Sequence, residues 1–164
     1  MLIENGILKA YDGDMKNVAI PEGIRVIAGD VEDSDRGKHL QGVKTDGVFY
    51  FPFNACDSIE TVTMPDSVEE IGPKAFEHCK NLRSVKFSKN LKKIGLSAFL
   101  GCKKFTEITI PASVTTIEQW AFDLIDIANF KFEGTLEQWD KVELSDETFK
   151  AYPVVNCSDG NIIA

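Results

Sequence analysis

Four cysteines, two histidines and one run of carboxylates are the residues of this 164-residue chain with chemistry to offer. Cys56, Cys79 and Cys102 stand 23 residues apart. If each unit of 23 stacks on the next, these thiols lie in one line at about 4.8 Å, the spacing of neighbouring strands. That meets the Cα distance for a disulfide, but parallel Cβ vectors disfavour closure. Zinc needs ligands that converge tetrahedrally, and a line does not converge; the next position in the series is Ile125. The three thiols therefore read as small buried hydrophobes, reduced and inaccessible, while Cys157 lies outside the series. His78 adjoins Cys79, so an inward cysteine turns the imidazole outward and leaves no nucleophile–base pair. His39 has no evident partner for general-base work. Asp30, Glu32, Asp33 and Asp35 lack the spacing of a calcium loop. No phosphate-cradling glycine loop, Gly-x-Ser-x-Gly elbow or His-Glu-x-x-His pair occurs. Catalytic residues, metal ligands and cofactors are expected to be none.

The elements that position these residues repeat. Val62, Val85 and Ile108 recur at the same interval, as do Val68, Leu91 and Val114, and Ile71, Ile94 and Ile117. Ala75-Phe76, Ala98-Phe99 and Ala121-Phe122 follow suit. A fixed period of this length marks stacked units, none of which can bury its apolar face alone. Val62-Thr63-Met64, Val85-Lys86-Phe87 and Ile108-Thr109-Ile110 alternate in and out, as short strands do. Pro65-Asp66-Ser67, Ser88-Lys89-Asn90 and Pro111-Ala112-Ser113 are turn sequences. A second extended stretch, 68–71, leads into Gly72. Ala75, Phe76, Cys79 and Leu82 then fall at three- and four-residue spacing, which predicts one short helical turn per coil.

The pattern Val-x-Ile-Pro-x-Ser-Val-x-x-Ile-Gly-x-x-Ala-Phe-x-x-Cys-x-x-Leu resembles the BspA-type (Treponema-type) leucine-rich-repeat family. Residues 62–82 match it with Met64 in place of Ile; the copy at 85–105 departs at Phe87, Ser88, Asn90 and Phe105, and the copy at 108–125 at Glu118 and Ile125. Asn5-Gly6-Ile7-Leu8 with Tyr11 and Gly13 looks like that family's entry hairpin, and Gly134-Thr135, Trp139 and Cys157-Ser158-Asp159-Gly160 like its exit segment. The expected fold is an α/β, right-handed leucine-rich-repeat solenoid of about five coils with short parallel strands. It would form a single domain over 1–164, with an entry hairpin cap at 1–16, repeats over 17–132 and an exit cap at 133–164. Thr135 and Gln138 form a capping-box pair. Trp139 is placed to cover the end of the stack. Phe130 and Phe132 read as a fifth strand displaced by one residue.

A net charge of −8 argues against nucleic acid or an anionic membrane as partner. No stretch approaches the ~20 apolar residues of a membrane helix. Residues 1–6 show no basic and apolar signal regions. The expectation is therefore cytoplasmic, with the cell surface or secretion as the alternative the resemblance implies. The charge is sorted by coil. Residues 57–79 carry six acids and one lysine, whereas 80–102 carry six basic residues and no acid. Glu60 falls over Arg83, Asp66 over Lys89, Glu69 over Lys92 and Glu70 over Lys93, a pattern expected to set coil order and register, with a basic stripe for an acidic ligand as the functional alternative.

The first repeat is interrupted. Val18, Ile20-Pro21, Ile24 and Ile27 precede their counterparts by 44 residues rather than 23, leaving 21 extra residues near 29–49. Asp46-Gly47 within that stretch is a hairpin signal. Solenoid insertions map to loops on one face, often the binding face. Asp33, Asp35, Arg36, Lys38 and His39 are candidate binding residues there. Thr63, Lys86 and Thr109 are candidates on the polar concave strand face. Trp120, with Leu96, Leu100 and Leu124, is an outward apolar residue that needs either a cover or a partner. The functional expectation is a non-enzymatic protein–protein interaction module; the resemblance implies a bacterial interaction or adhesion protein with a protein partner. The alternatives are a structural module of a larger assembly, or a small enzyme that uses the insertion as an active-site loop.

Overall fold

The computed structural model describes residues 2–11, 13–29, 31–33, 38–40, 53–105, 107–125, 129–149 and 153–163. An antiparallel hairpin opens the chain, β1 (Leu2–Glu4) and β2 (Ile7–Ala10), turned by Asn5 and Gly6 at φ 52° and 76°. Asn-Gly suits this turn because both central residues take left-handed backbone. The first coil supplies β3 (Asn17–Ala19) and β4 (Val26–Ile27), and the interruption supplies an antiparallel pair, β5 (Val31–Asp33) and β6 (Lys38–Leu40). The next three coils each give two strands: β7 (Thr61–Thr63) and β8 (Glu70–Ile71), β9 (Ser84–Lys86) and β10 (Lys93–Ile94), β11 (Glu107–Ile110) and β12 (Thr116–Ile117). β13 (Asn129–Phe132), the helix α1 (Leu136–Trp139), β14 (Glu143–Leu144) and the hairpin of β15 (Val154–Cys157) and β16 (Gly160–Ile163) complete it.

Every coil thus offers one strand to each of two faces. One face is a continuous ladder, β1-β2-β4-β8-β10-β12-β14. The other is in two pieces, β3-β7-β9 and β11-β13-β15-β16. Between the faces run the inward columns read from the period. Ile27, Ile71, Ile94 and Ile117 are fully buried, as are Leu91, Ala98 and Phe99. The phenylalanine column extends over five rings. Phe53, Phe76, Phe99, Phe122 and Phe149 stack nearly parallel at centroid spacings of 5.0, 5.2, 5.6 and 6.1 Å. Tyr11 packs on Phe53 at one end. At the other, Trp139 packs on Phe130 and Phe132, held by the Thr135–Gln138 capping box of α1. β13 pairs with β11 in the displaced register, Ile108 opposite Phe130.

The third side of each coil is not helical. Lys74, Phe76 and His78 donate their N–H groups to Leu96, Ala98 and Leu100 of the next coil at 2.7–2.8 Å, whereas Ala75, Glu77 and Cys79 donate three residues back. A helix needs every N–H directed four residues back along its own axis; here alternate donors cross to the neighbour. Lys74 and His78 both have φ 57°, and the left-handed positions recur at Ser97, Gly101, Trp120 and Leu124. The three- and four-residue spacing comes instead from two successive tight turns. Leu96 and Leu100 are half-buried on this side, while Trp120 and Leu124 are 38% and 43% exposed.

Charge columns pair as drawn at three positions: Lys89–Asp66 at 3.7 Å, Lys92–Glu69 at 3.4 Å and Lys93–Glu70 at 3.9 Å. Glu60 pairs with Lys16 at 3.3 Å instead of with Arg83. These pairs are solvent-screened and fix register more than stability. Glu118 does more. Leu96 occupies the place of Pro73 one coil earlier, so it has an N–H that proline lacks. Glu118 Oε2 accepts it at 2.8 Å, and Oε1 meets Lys93 Nζ at 2.7 Å. Glu118→Ala should cost about 1–2 kcal/mol in urea unfolding, by stranding a half-buried donor. The Glu118 hydrogen bond raises the Lys93 pKa. Its stabilisation is full below lysine's ordinary 10.5 and fades as pH climbs above it. The variant should therefore lie parallel to the parent through neutral pH and draw nearer in alkali only by the Lys93 part, while the loss at the Leu96 N–H remains.

All four cysteines are free thiols. Cys79 Sγ donates to the Phe53 carbonyl at 3.0 Å and Cys102 Sγ to that of Phe76 at 3.1 Å, both side chains fully buried. Burial pushes the Cys79 thiol up to about 12, and raises that of Cys102 as well. Cys56 departs from the expected uniform inaccessibility: at the first coil it is half-buried, as is Cys157. Native thiol titration should therefore modify Cys56 and Cys157 and leave Cys79 and Cys102 silent until unfolding. Rapid native labelling of either silent cysteine would contradict the column.

Candidate functional site

Short strands with one side chain in and two out put a polar row on the outer strand face. Register aligns Ala19, Thr63 and Lys86 across β3, β7 and β9, and Thr109, Lys131 and Asn156 across β11, β13 and β15. Between β9 and β11 the ladder stops. Coil 80–105 explains the break. Phe87 stands where its neighbours carry Met64 and Ile110, and Phe105 where the preceding coil carries Leu82. Both rings pack beneath this face against Phe99, at 5.7 and 5.8 Å. The added bulk holds the two coils apart on this side, while β10 still bonds β8 and β12 on the other.

The result is a groove of about 380 Å³. Val85, Phe87 and Pro111 form its apolar floor, and Ser84, Lys86, Lys89, Thr109 and Glu133 line it above. Val85 is half-buried, whereas its column mates Val62 and Ile108 are 1% exposed. Lys89 is tied to Asp66, while Lys86 makes no ion pair among the described residues. An apolar floor with charged groups of both signs suits an extended segment that inserts one apolar side chain and is oriented by its flanks. No two side chains lining the groove are hydrogen-bonded to each other among the described residues. The thiols of Cys79 and Cys102 lie in the core, not in this groove.

Lys86 and Thr109 meet in the groove, and Thr63 is the strand partner of Lys86. Trp120 lies apart, on the turn side, lining a second pocket with Asp123, Glu147 and Phe149. Asp33 and Lys38 are opposite one another across β5 and β6, as are Glu32 and His39. That pair joins neither face. Asp35, Arg36 and the Asp46-Gly47 turn lie outside the described residues. Val85, Phe87, Pro111 and Glu133 were not among the candidates. The one available signal was the pair of aromatic departures in a single repeat. Among the described residues, no three His, Cys, Asp or Glu side chains cluster as a metal site, and no helix is long and apolar enough to cross a membrane.

The family described as "BspA type Leucine rich repeat region (6 copies)" matches residues 49–152. A leucine rich cell surface protein of Faecalibacterium prausnitzii A2-165 is similar in structure, with a TM-score of 0.55 and 23% identity over 84% of this chain. A leucine-rich repeat protein of Bacteroides ovatus ATCC 8483 is similar too, with a TM-score of 0.54 and 21% identity over 95% of this chain. This chain spans 38% and 41% of those two proteins. At such identities the likeness is one of fold. No curated protein is significantly similar in sequence. The coil that carries the groove falls inside the matched region, and the chain belongs to the BspA-type leucine-rich-repeat family.

Proposed function

We propose that this protein is a non-enzymatic protein-binding module that receives an extended segment of a partner protein in the groove between β9 and β11. Repeats of this family commonly serve protein–protein interaction. The observation that carries the reading here is the interrupted ladder, which exposes the apolar Val85 beneath a rim of lysine, threonine and glutamate. An apolar anchor in a pocket with a polar surround is how small interfaces concentrate their affinity. Lys86, in a coil whose charged residues are all basic, gives an acidic flank of the partner a place to land. Adhesion, in which the partner sits on another cell, is the finer form of the same proposal.

Peptides selected from a random displayed library against the whole protein test it. Lys86→Glu should weaken the selected peptides about tenfold or more, as should Thr109→Arg, which fills the groove. Both substitutions are on the outer face, so the circular dichroism melts should be unchanged. Peptides that bind both variants at parental affinity would reject the groove. A second reading rests on the β5–β6 pair, which belongs to neither ladder. Peptides that lose affinity only when residues 30–48 are removed would move recognition there.

A further inference from the structure

On the turn side, Trp120 is held in a conformation that costs free energy. Its φ is 56°, a left-handed value that a bulky residue rarely adopts. Its N–H donates to the Glu147 carbonyl at 3.1 Å, and its indole Nε1 donates to Glu147 Oε2 at 2.8 Å. The ring is thereby fixed while remaining 38% exposed. Beside it is a pocket of about 240 Å³ lined by Trp120, Asp123, Glu147 and Phe149. Asp123 Oδ1 is shielded from solvent and accepts no hydrogen bond. Among the described residues neither carboxylate makes an ion pair, and no lysine or arginine lines the cavity.

We propose that this pocket is a subsite for an arginine side chain of a protein partner. Two aromatic faces attract a cation through their ring quadrupoles, tryptophan most strongly. Two carboxylates with no counter-ion among the described residues supply the charge. Guanidinium fits better than ammonium because it is planar, stacks on the indole face, and has five donors to share between Asp123 and Glu147. The net charge of −8 adds long-range attraction for a cationic segment. Trp120 and Glu147 fix each other before any ligand arrives, so little ordering is required on binding. The proposal extends the protein-binding reading to a second surface but does not depend on the β9–β11 groove.

The probe is a blocked Gly-Arg-Gly peptide, titrated into the whole protein with the two indole N–H signals followed by NMR. Trp120→Phe assigns them, because the other tryptophan is Trp139. The Trp120 signal should shift saturably with a Kd on the order of millimolar, as befits one side chain, while that of Trp139 stays still. Citrulline in place of arginine should abolish the shift, and lysine should bind several-fold more weakly. Asp123→Asn with Glu147→Gln, which keeps an acceptor for the indole, should also abolish it. No saturable shift with the arginine peptide overturns the proposal. So does equal binding of the citrulline or lysine peptide, or full binding by the double variant. Because a free peptide is used, these outcomes are independent of whether library peptides occupy the groove.

Discussion

Replacing Phe99 with alanine should lower the unfolding free energy by about 3–5 kcal/mol, the range for truncating a fully buried aromatic ring. Phe99 is the centre of the molecule's packing. It stacks on Phe76 at 5.2 Å and Phe122 at 5.6 Å, and receives Phe87 edge-on at 5.7 Å and Phe105 tilted at 5.8 Å. Removing the ring takes away contacts in both stack directions and from the groove floor at once. A solenoid is held by nearest-neighbour interfaces, so this one change weakens two of them. Urea unfolding should show a lower midpoint. A shallower slope would indicate that the two halves have begun to unfold separately. Phe99→Leu fills part of the space and should retain a native fold at roughly half the loss, which keeps the comparison measurable if the alanine variant does not fold. A loss below about 1 kcal/mol for Phe99→Ala would mean that the neighbouring rings collapse into the space, and the column would not be the rigid stack described.

Most of the scaffold was legible because inward residues are constrained by stacking. A position that must touch its counterparts above and below repeats its type, so the Val, Ile, Ala and Phe columns announce themselves through the period. The displaced register of Phe130 and the capping box of Thr135 were equally plain, since each depends on a local pattern. Three features were not legible. The turned side of each coil imitates a helix because two tight turns bring residues inward at nearly helical spacing. The left-handed positions that distinguish them are filled by Lys74, His78, Ser97 and Trp120, none of which advertises positive φ; only Gly101 does. The groove was hidden because Phe87 and Phe105 preserve the apolar pattern, and a pattern of types does not report when added volume breaks a ladder. The Trp120 pocket was half visible. The tryptophan stood out as exposed, but Glu147 and Phe149 follow Trp120 and Phe122 by 27 residues, after the 23-residue period has failed.

Gly29→Ala should cost about 2–3 kcal/mol, the upper part of the range for forcing an added group into filled space. A Cβ on Gly29 would fall 1.9 Å from the Pro73 carbonyl oxygen and within 2.7 Å of two backbone carbons, those of Gly72 and Pro73. No flexible side chain can yield there; one coil would have to move off the other. The site is also where the regular coil gives way to the 21 additional residues. Pro73, Leu96 and Gln119 carry side chains at the equivalent place, so the requirement for glycine belongs to the departure of the chain and not to the repeat. Gly23→Ala is the control. Its Cβ would have nothing within 4 Å, but its φ of 84° makes any side chain strained, a backbone cost of about 1 kcal/mol. The difference between the two variants in urea isolates the steric part. If Gly29→Ala cost no more than Gly23→Ala, the chain would leave the stack with room to spare, and its close passage over Pro73 would not hold. If it costs the larger amount and peptide binding at the groove is unchanged, the departure point is structural and separable from recognition. A loss of binding out of proportion to the loss of stability would tie the β5–β6 pair to the binding surface, because Gly29 touches neither the groove nor the Trp120 pocket.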